Sequence, residues 1–274
     1  MVAPELWLLA DSRLPTGGHA HSGGIEAAVR RGLVTGPDDV AAWLAGRVPT
    51  AGLVTAAAAA AACALVTVPV ERRAPSVDLL GHGRPSPDPR PSPATWRGAP
   101  TGGSTERGGP SLESGDGDVD WARWDAAISA RTPVAALRDV SRQQGRAMLR
   151  TVRAAWPHAP VDGLGARPHQ ALVLGVATRA AGGTPHDAAA LAVHHLTGQV
   201  CSAAVRLLGL DPLALAGVHA RALAAHGPVV GTAAEAGTAA AAARDPDLLP
   251  TATTPWPEVL AVLHARSEGA LFAS

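Results

Sequence analysis

The chain has 274 residues, 47% of them apolar and nearly half of those alanine, with only 3% aromatic residues and no tyrosine. Its 23 basic residues are all arginine and balance 23 acidic ones, so it carries no electrostatic footprint for nucleic acid or an anionic membrane surface. Two cysteines, Cys63 and Cys201, exclude a disulfide scaffold and a cysteine-rich zinc site, and the apolar content excludes a wholly disordered chain.

In chain order the pattern is almost entirely helical. Pro4 to Asp11 reads as a short apolar helix or extended lead-in; the opening MVAPELWLLADSR has no basic n-region and meets Asp11 too early for a secretory signal. Pro15, Gly17 and Gly18 mark a loop. Ser22 is placed to cap a helix running to about Arg31, and a second helix starts at Asp38 and is interrupted by Pro49. A third runs from about Thr50 to Val66. The stretch Ala51 to Val70 has no charged residue, but seven of its residues are the consecutive alanines Ala56 to Ala62, and no aromatic belt flanks it. It is read as a buried helix, with a membrane anchor as a distant alternative.

The composition then changes. Nine prolines fall between Pro69 and Pro110, among many Gly, Ser and Arg residues. Such a segment cannot bury enough apolar surface to order itself, so about 69–117 is read as a long disordered insertion. Loop closure entropy rises slowly with length. Deleting 72–116 is therefore expected to leave the fold intact, checked by soluble expression and circular dichroism; loss of soluble protein would show that the insertion packs on the body.

Helical pattern resumes at Asp120 with DWARWDAAISAR. Thr132 is placed as an N-cap, with Pro133 in the first helical position of a long helix reaching the region of Trp156. Residues 169–181 read as another helix. Thr184 and Pro185 start one that runs to about Leu208, and Asp211 with Pro212 starts one over 212–225. Pro228 breaks the chain before an Ala-rich helix over about 231–243, and the last helix runs from Pro257 to Ser267. No hairpin pattern stands out. The expected fold is all-α, a single-domain helical bundle of residues 1–274 interrupted at 69–117.

A search for catalytic patterns finds no Walker A sequence, no GxSxG, no HExxH and no GxGxxG opening a helix. The expectation is a protein that is not an enzyme. His19 and His21 form an H-x-H in a Gly-rich loop and are the candidate metal ligands, with Asp11 the one nearby carboxylate. The alternative to a metal site is hydrogen bonding of these histidines to loop backbone. His194 and His195 point about 100° apart on one helix, so one is expected to be buried and the other exposed. Both cysteines read as small buried hydrophobes. Arg138, Arg142, Arg146, Arg150 and Arg153 recur along one face of the long helix, either a solvated face or a docking surface for an acidic partner. Arg206 sits among apolar residues, as a paired or interface arginine does.

Four blocks, in order, carry a family resemblance. Residues 6–34 contain Asp11, Ser12, Pro15, Gly17, His21, Ser22, Gly24 and Glu26 in a D-S-x-x-P-x-G-x-x-x-H-S-x-G-x-E pattern. Residues 130–150 contain Arg138, Ser141, Gly145 and Arg146 in an R-x-x-S-x-x-x-G-R pattern. The helix 190–208 ends in SAAVRLLGLDP, and the tail GALFAS includes Leu271 and Phe272. Together they resemble the UreF family of urease accessory proteins. The resemblance implies a cytoplasmic, all-α homodimer that is not an enzyme and holds no cofactor of its own. It implies assembly with the UreD (UreH) accessory protein and the GTPase UreG, nickel delivery to apo-urease, and a role in regulating GTP hydrolysis. The expected interface residues are Arg138, Arg142, Arg146, Arg206, Leu271 and Phe272. The competing expectation is a direct nickel carrier using the His19/His21 loop.

Overall fold

A computed structural model of the chain describes residues 3–11, 13–15, 21–67 and 119–265. The insertion at 69–117 lies outside them, as do His19, Leu271 and Phe272. Every regular element among the described residues is helical: α1 (Glu5–Ala10), α2 (Ile25–Val29), α3 (Pro37–Arg47), α4 (Leu53–Leu65), α5 (Trp121–Ala130), α6 (Ala135–Ala155), α7 (Gln170–Ala180), α8 (Pro185–Leu208), α9 (Pro212–Ala225), α10 (Gly227–Ala242) and α11 (Pro255–Ala265).

The start signals of α8 and α9 act as the sequence suggests. Thr184 Oγ1 accepts from Asp187 N, and Asp187 Oδ2 accepts from Thr184 N, a reciprocal capping box with Pro185 in the first turn. The Asp211 carboxylate accepts from Leu213 N. Other boundaries differ: α10 starts at Gly227 with Pro228 in its first turn, α11 starts at Pro255, and three more depart as follows. Helix α2 begins at Ile25 after Gly24, whose φ of 85° needs a glycine; Ser22 Oγ, three residues before the helix, accepts from Gly24 N at 3.2 Å and from Glu26 N at 3.5 Å. Thr132 donates back to Ile128 O at the end of α5, so α6 starts only at Ala135. Pro49 does not stop the chain's helix. A π-helical turn, Val48–Gly52, absorbs it and carries α3 into α4, so helical backbone is continuous from Pro37 to Leu65.

The alanine run occupies the centre of the bundle. Residues Ala56 to Cys63 have no exposed surface, because α4 is packed against α7, α8 and α10. Two glycines explain how thin side chains fill that core. A Cβ built on Gly175 of α7 would lie 2.2 Å from Ala59 O, and one on Gly237 of α10 would lie 2.3 Å from Ala57 O. The backbones of α7 and α10 therefore approach α4 more closely than any side chain at these positions would allow. Pro37–Leu65 and Pro185–Leu208 are long and apolar enough to cross a membrane, but 61% and 56% of their apolar windows are buried inside the protein. Their apolar character serves the bundle core.

A second apolar cluster joins α2, α3, the C-terminal half of α8, α9 and α11 through Ile25, Leu44, Val200, Leu215 and Leu260. Helix α6 lies over α7, burying Met148, Leu149 and Val152 while Arg146, Arg150 and Arg153 face water.

Candidate functional site

Many of the titratable side chains hold helices together, and others lie on the outside. The first group is centred on His169, which has no exposed surface and sits at the start of α7. Its Nε2 bonds Ser129 Oγ of α5 at 2.9 Å, and its Nδ1 bonds Ser141 Oγ of α6 at 3.0 Å. Asp125 Oδ1 accepts from His169 N at 3.3 Å, and the Asp125 carboxylate takes a two-pronged bond from Arg142 Nη1 and Nη2, at 3.1 and 2.6 Å. Arg142 also donates to Arg167 O and Ser129 Oγ. This network pins α5, α6 and the first turn of α7. Burial pushes the His169 imidazole down to about 4, outweighing the opposing pull of Asp125. Gly145 belongs to the same contact, since a Cβ there would lie 2.1 Å from Pro168 O.

Helix α8 clasps the end of α1. His194 Nε2 donates to Ala10 O at 3.0 Å and His195 Nε2 to Leu9 O at 2.8 Å. Both histidines are half-buried, rather than one in and one out, because the last carbonyls of α1 lack partners in their own helix and lie across both rings. Burial holds His195 at about 4. At the N-terminal motif, Glu26 is buried in α2 and its Oε2 lies 3.6 Å from Nε2 of His264 on α11. The cysteines are buried thiols, pushed up by burial to about 12 for Cys63 and about 11 for Cys201, which suits packing rather than reactivity.

Of the metal-ligand candidates, His21 is buried at the entry to α2. The Asp11 carboxylate is already held by Arg13, with Nη2 to Oδ2 at 2.7 Å, and these hydrogen bonds lower Asp11 to about 2. Among the described residues no group of three or more His, Cys, Asp or Glu side chains is close enough to hold a metal ion.

The expected interface arginines are placed differently from one another. Arg138 folds back to donate to Thr132 O and Pro133 O across the α5–α6 turn, and Arg142 is committed to Asp125. Arg146 is exposed on α6, and Arg206 is exposed on the last turn of α8, where a cation complements the helix dipole. The sequence reading passed over one surface. Trp256 is 67% exposed on α11, and Val259 and Val262 beside it are also exposed. At spacings of three residues they form an apolar stripe on the outer face of that helix. That signal was legible in the PWPEVLAVLHA segment as apolar residues on more than one face.

These features define a class: an all-helical protein whose polar interior is spent on cohesion and whose exterior carries arginines and apolar side chains. Comparison with known proteins narrows it. The UreF family model matches residues 34–223. The urease accessory protein UreF of Mycolicibacterium vanbaalenii is 38% identical over 272 residues, covering 98% of this chain and 97% of the relative. That of Mycobacterium marinum is 36% identical over 270 residues with the same coverage, and that of Mycobacterium tuberculosis is 36% identical over 208 residues, 76% of this chain and 74% of the relative. The chain belongs to the UreF family of urease accessory proteins.

Proposed function

We propose that this chain is a nickel-insertion chaperone that acts by binding rather than by catalysis. As a cytoplasmic homodimer it scaffolds a complex with the UreD (UreH) accessory protein and the GTPase UreG. Nucleotide turnover by the GTPase releases nickel toward apo-urease, and contact with this chain regulates that turnover. Nickel is the cargo of the complex, and the chain holds no cofactor of its own.

The observation that carries this reading is the division of labour just described. The histidines and cysteines that could do chemistry are largely buried and bonded to backbone or to neighbouring helices, whereas Arg146, Arg206 and the stripe Trp256–Val259–Val262 lie on the exposed surface. Arginine and tryptophan are the side chains that most often carry interface energy.

Arg146→Ala and Arg206→Ala are expected to fold normally. Each should weaken assembly with the UreD (UreH) and UreG partners by about tenfold, the worth of one good charge-assisted contact. Co-purification from cells expressing the accessory proteins together, scored with urease activation, checks this. If both variants assemble and activate urease as the wild type does, the interface assignment is wrong. Arg142→Ala serves as the contrast, since its expected effect is on stability.

A further inference from the structure

A cavity of about 150 Å³ lies among the N-terminal turn, the end of α3, α6, α7, α8 and the approach to α11. Its polar wall includes His21, Arg47, Gln144, Gln170, Gln199 and Glu258. Arg47, the last residue of α3, is 8% exposed, and Gln144, from the middle of α6, is 5% exposed. Among the described residues neither Arg47 Nε nor Gln144 Nε2 has a hydrogen-bond partner. Two buried donors on different helices, both lining one cavity, are an unusual arrangement, because a native core satisfies nearly all of its buried polar groups.

The charge balance points the same way. Burial lowers Arg47 to about 10, so it stays protonated at neutral pH, and the carboxylate that acts on it, Glu258, offsets only part of that shift. Among the described residues no carboxylate pairs with Arg47 at salt-bridge distance, and a buried cation left so is costly unless a negative partner approaches. The atoms that lack partners are N–H donors, so the missing group is an acceptor. A guanidinium edge and an amide N–H match the oxygens of a carboxylate, a carbonate or a phosphate. The volume of about 150 Å³ is enough for one such ion.

We propose that this cavity binds one small oxyanion, held by Arg47 from α3 and Gln144 from α6. The ion would link the N-terminal half of the bundle to the α6–α7 pair. This assignment stands on the cavity and its donors alone, and it is independent of the accessory role proposed above.

The test is isothermal titration calorimetry on the full chain, in chloride buffer at constant ionic strength, with acetate, bicarbonate and inorganic phosphate as three separate probes. At least one should bind saturably at one ion per chain and raise Tm. The three arms separate carboxylate, carbonate and phosphate as the source. Arg47→Met, which keeps the length of the buried chain and removes the charge, should weaken that binding tenfold or more. Gln144→Leu should weaken it several-fold. Excluded salts such as phosphate raise Tm without a site, but they do so equally in every variant. Absence of saturable binding for all three ions at 10 mM overturns the proposal, as does equal binding by the wild type and Gln144→Leu. Gln144→Leu removes one neutral donor, so it decides the matter even if Arg47→Met does not fold.

Discussion

Gly237→Ala will destabilise this protein, and Gly231→Ala, in the same helix, will stabilise it slightly. In an exposed helix interior, alanine is better than glycine by about 1 kcal/mol, because glycine loses more backbone freedom on folding. Gly231 has open space around it, so the gain is realised. At Gly237 the added Cβ meets Ala57 O at 2.3 Å and the Ala60 Cβ at 2.8 Å, and both belong to the buried run of α4. Backbone cannot rotate away as a flexible side chain does, so α10 must move off α4. Overpacking of this kind costs about 1–3 kcal/mol, enough to exceed the propensity gain. Gly175→Ala on α7 should behave as Gly237→Ala does, since its Cβ would meet Ala59 O at 2.2 Å. For a body of this size each kcal/mol moves Tm by roughly 2–4 °C. Thermal unfolding of the three variants should place Gly231→Ala above the wild type and the other two below it. Equal Tm values for Gly231→Ala and Gly237→Ala would mean that α10 does not sit against α4 as described.

The second large effect is acid sensitivity centred on His169. An unfolded histidine titrates near 6.5, whereas His169 in the folded protein is held at about 4 by burial. Below 6.5 the unfolded chain therefore binds a proton that the folded one refuses, so stability falls as pH drops. The contribution is fully present above about pH 6.5 and is lost progressively down to about pH 4, amounting to roughly 3 kcal/mol from this residue at most. His195 shifts in the same direction and adds to the slope. His169→Gln keeps hydrogen-bonding capacity without the titration. Urea unfolding at pH 8 and pH 5 should show a large loss for the wild type and a smaller loss for His169→Gln, which starts from a lower stability at pH 8 because Ser129 and Ser141 lose well-placed partners. A wild-type midpoint that is the same at both pH values would contradict the buried placement of His169.

The parts of the fold legible in the sequence were those governed by local chemistry. Thr184 with Asp187, and Asp211 with Pro212, specify helix starts within four residues, and the chain starts α8 and α9 there. Ser22 and Thr132 carry the same kind of hydroxyl, but each had more than one backbone partner in reach. Ser22 Oγ accepts from both Gly24 N and Glu26 N, and Thr132 reaches back to Ile128 O, so the N-caps fall two residues later, at Gly24 and Val134. The proline at 49 read as a break because nothing local reveals that a π-helical turn can carry it. The alanine run announced close packing, but the partners that make it close, Gly175 and Gly237, lie more than 100 positions away in sequence.

The candidate site was legible only in outline. The α6 arginines stood out by spacing, yet spacing alone does not say that Arg142 would be drawn to Asp125 of the preceding helix while Arg146, one turn on, would remain exposed. His169 gave no signal at all, as a lone histidine between Pro168 and Gln170. Its role depends on two serines brought in from separate helices. Arg47 likewise reads as an ordinary basic residue near a helix end, and only the packing of Gly24 against its guanidinium and of α11 nearby shows it to be buried.

A binding scaffold for urease maturation should be needed in a purified system. The most direct measurement reconstitutes activation from purified components: apo-urease, nickel, bicarbonate, GTP, UreG and UreD (UreH), with this chain added, omitted, or replaced by the Arg146→Ala/Arg206→Ala double variant. Urease activity is expected to depend on the chain and to fall with the double variant in proportion to its loss of complex. Equal activity with and without the chain would contradict it.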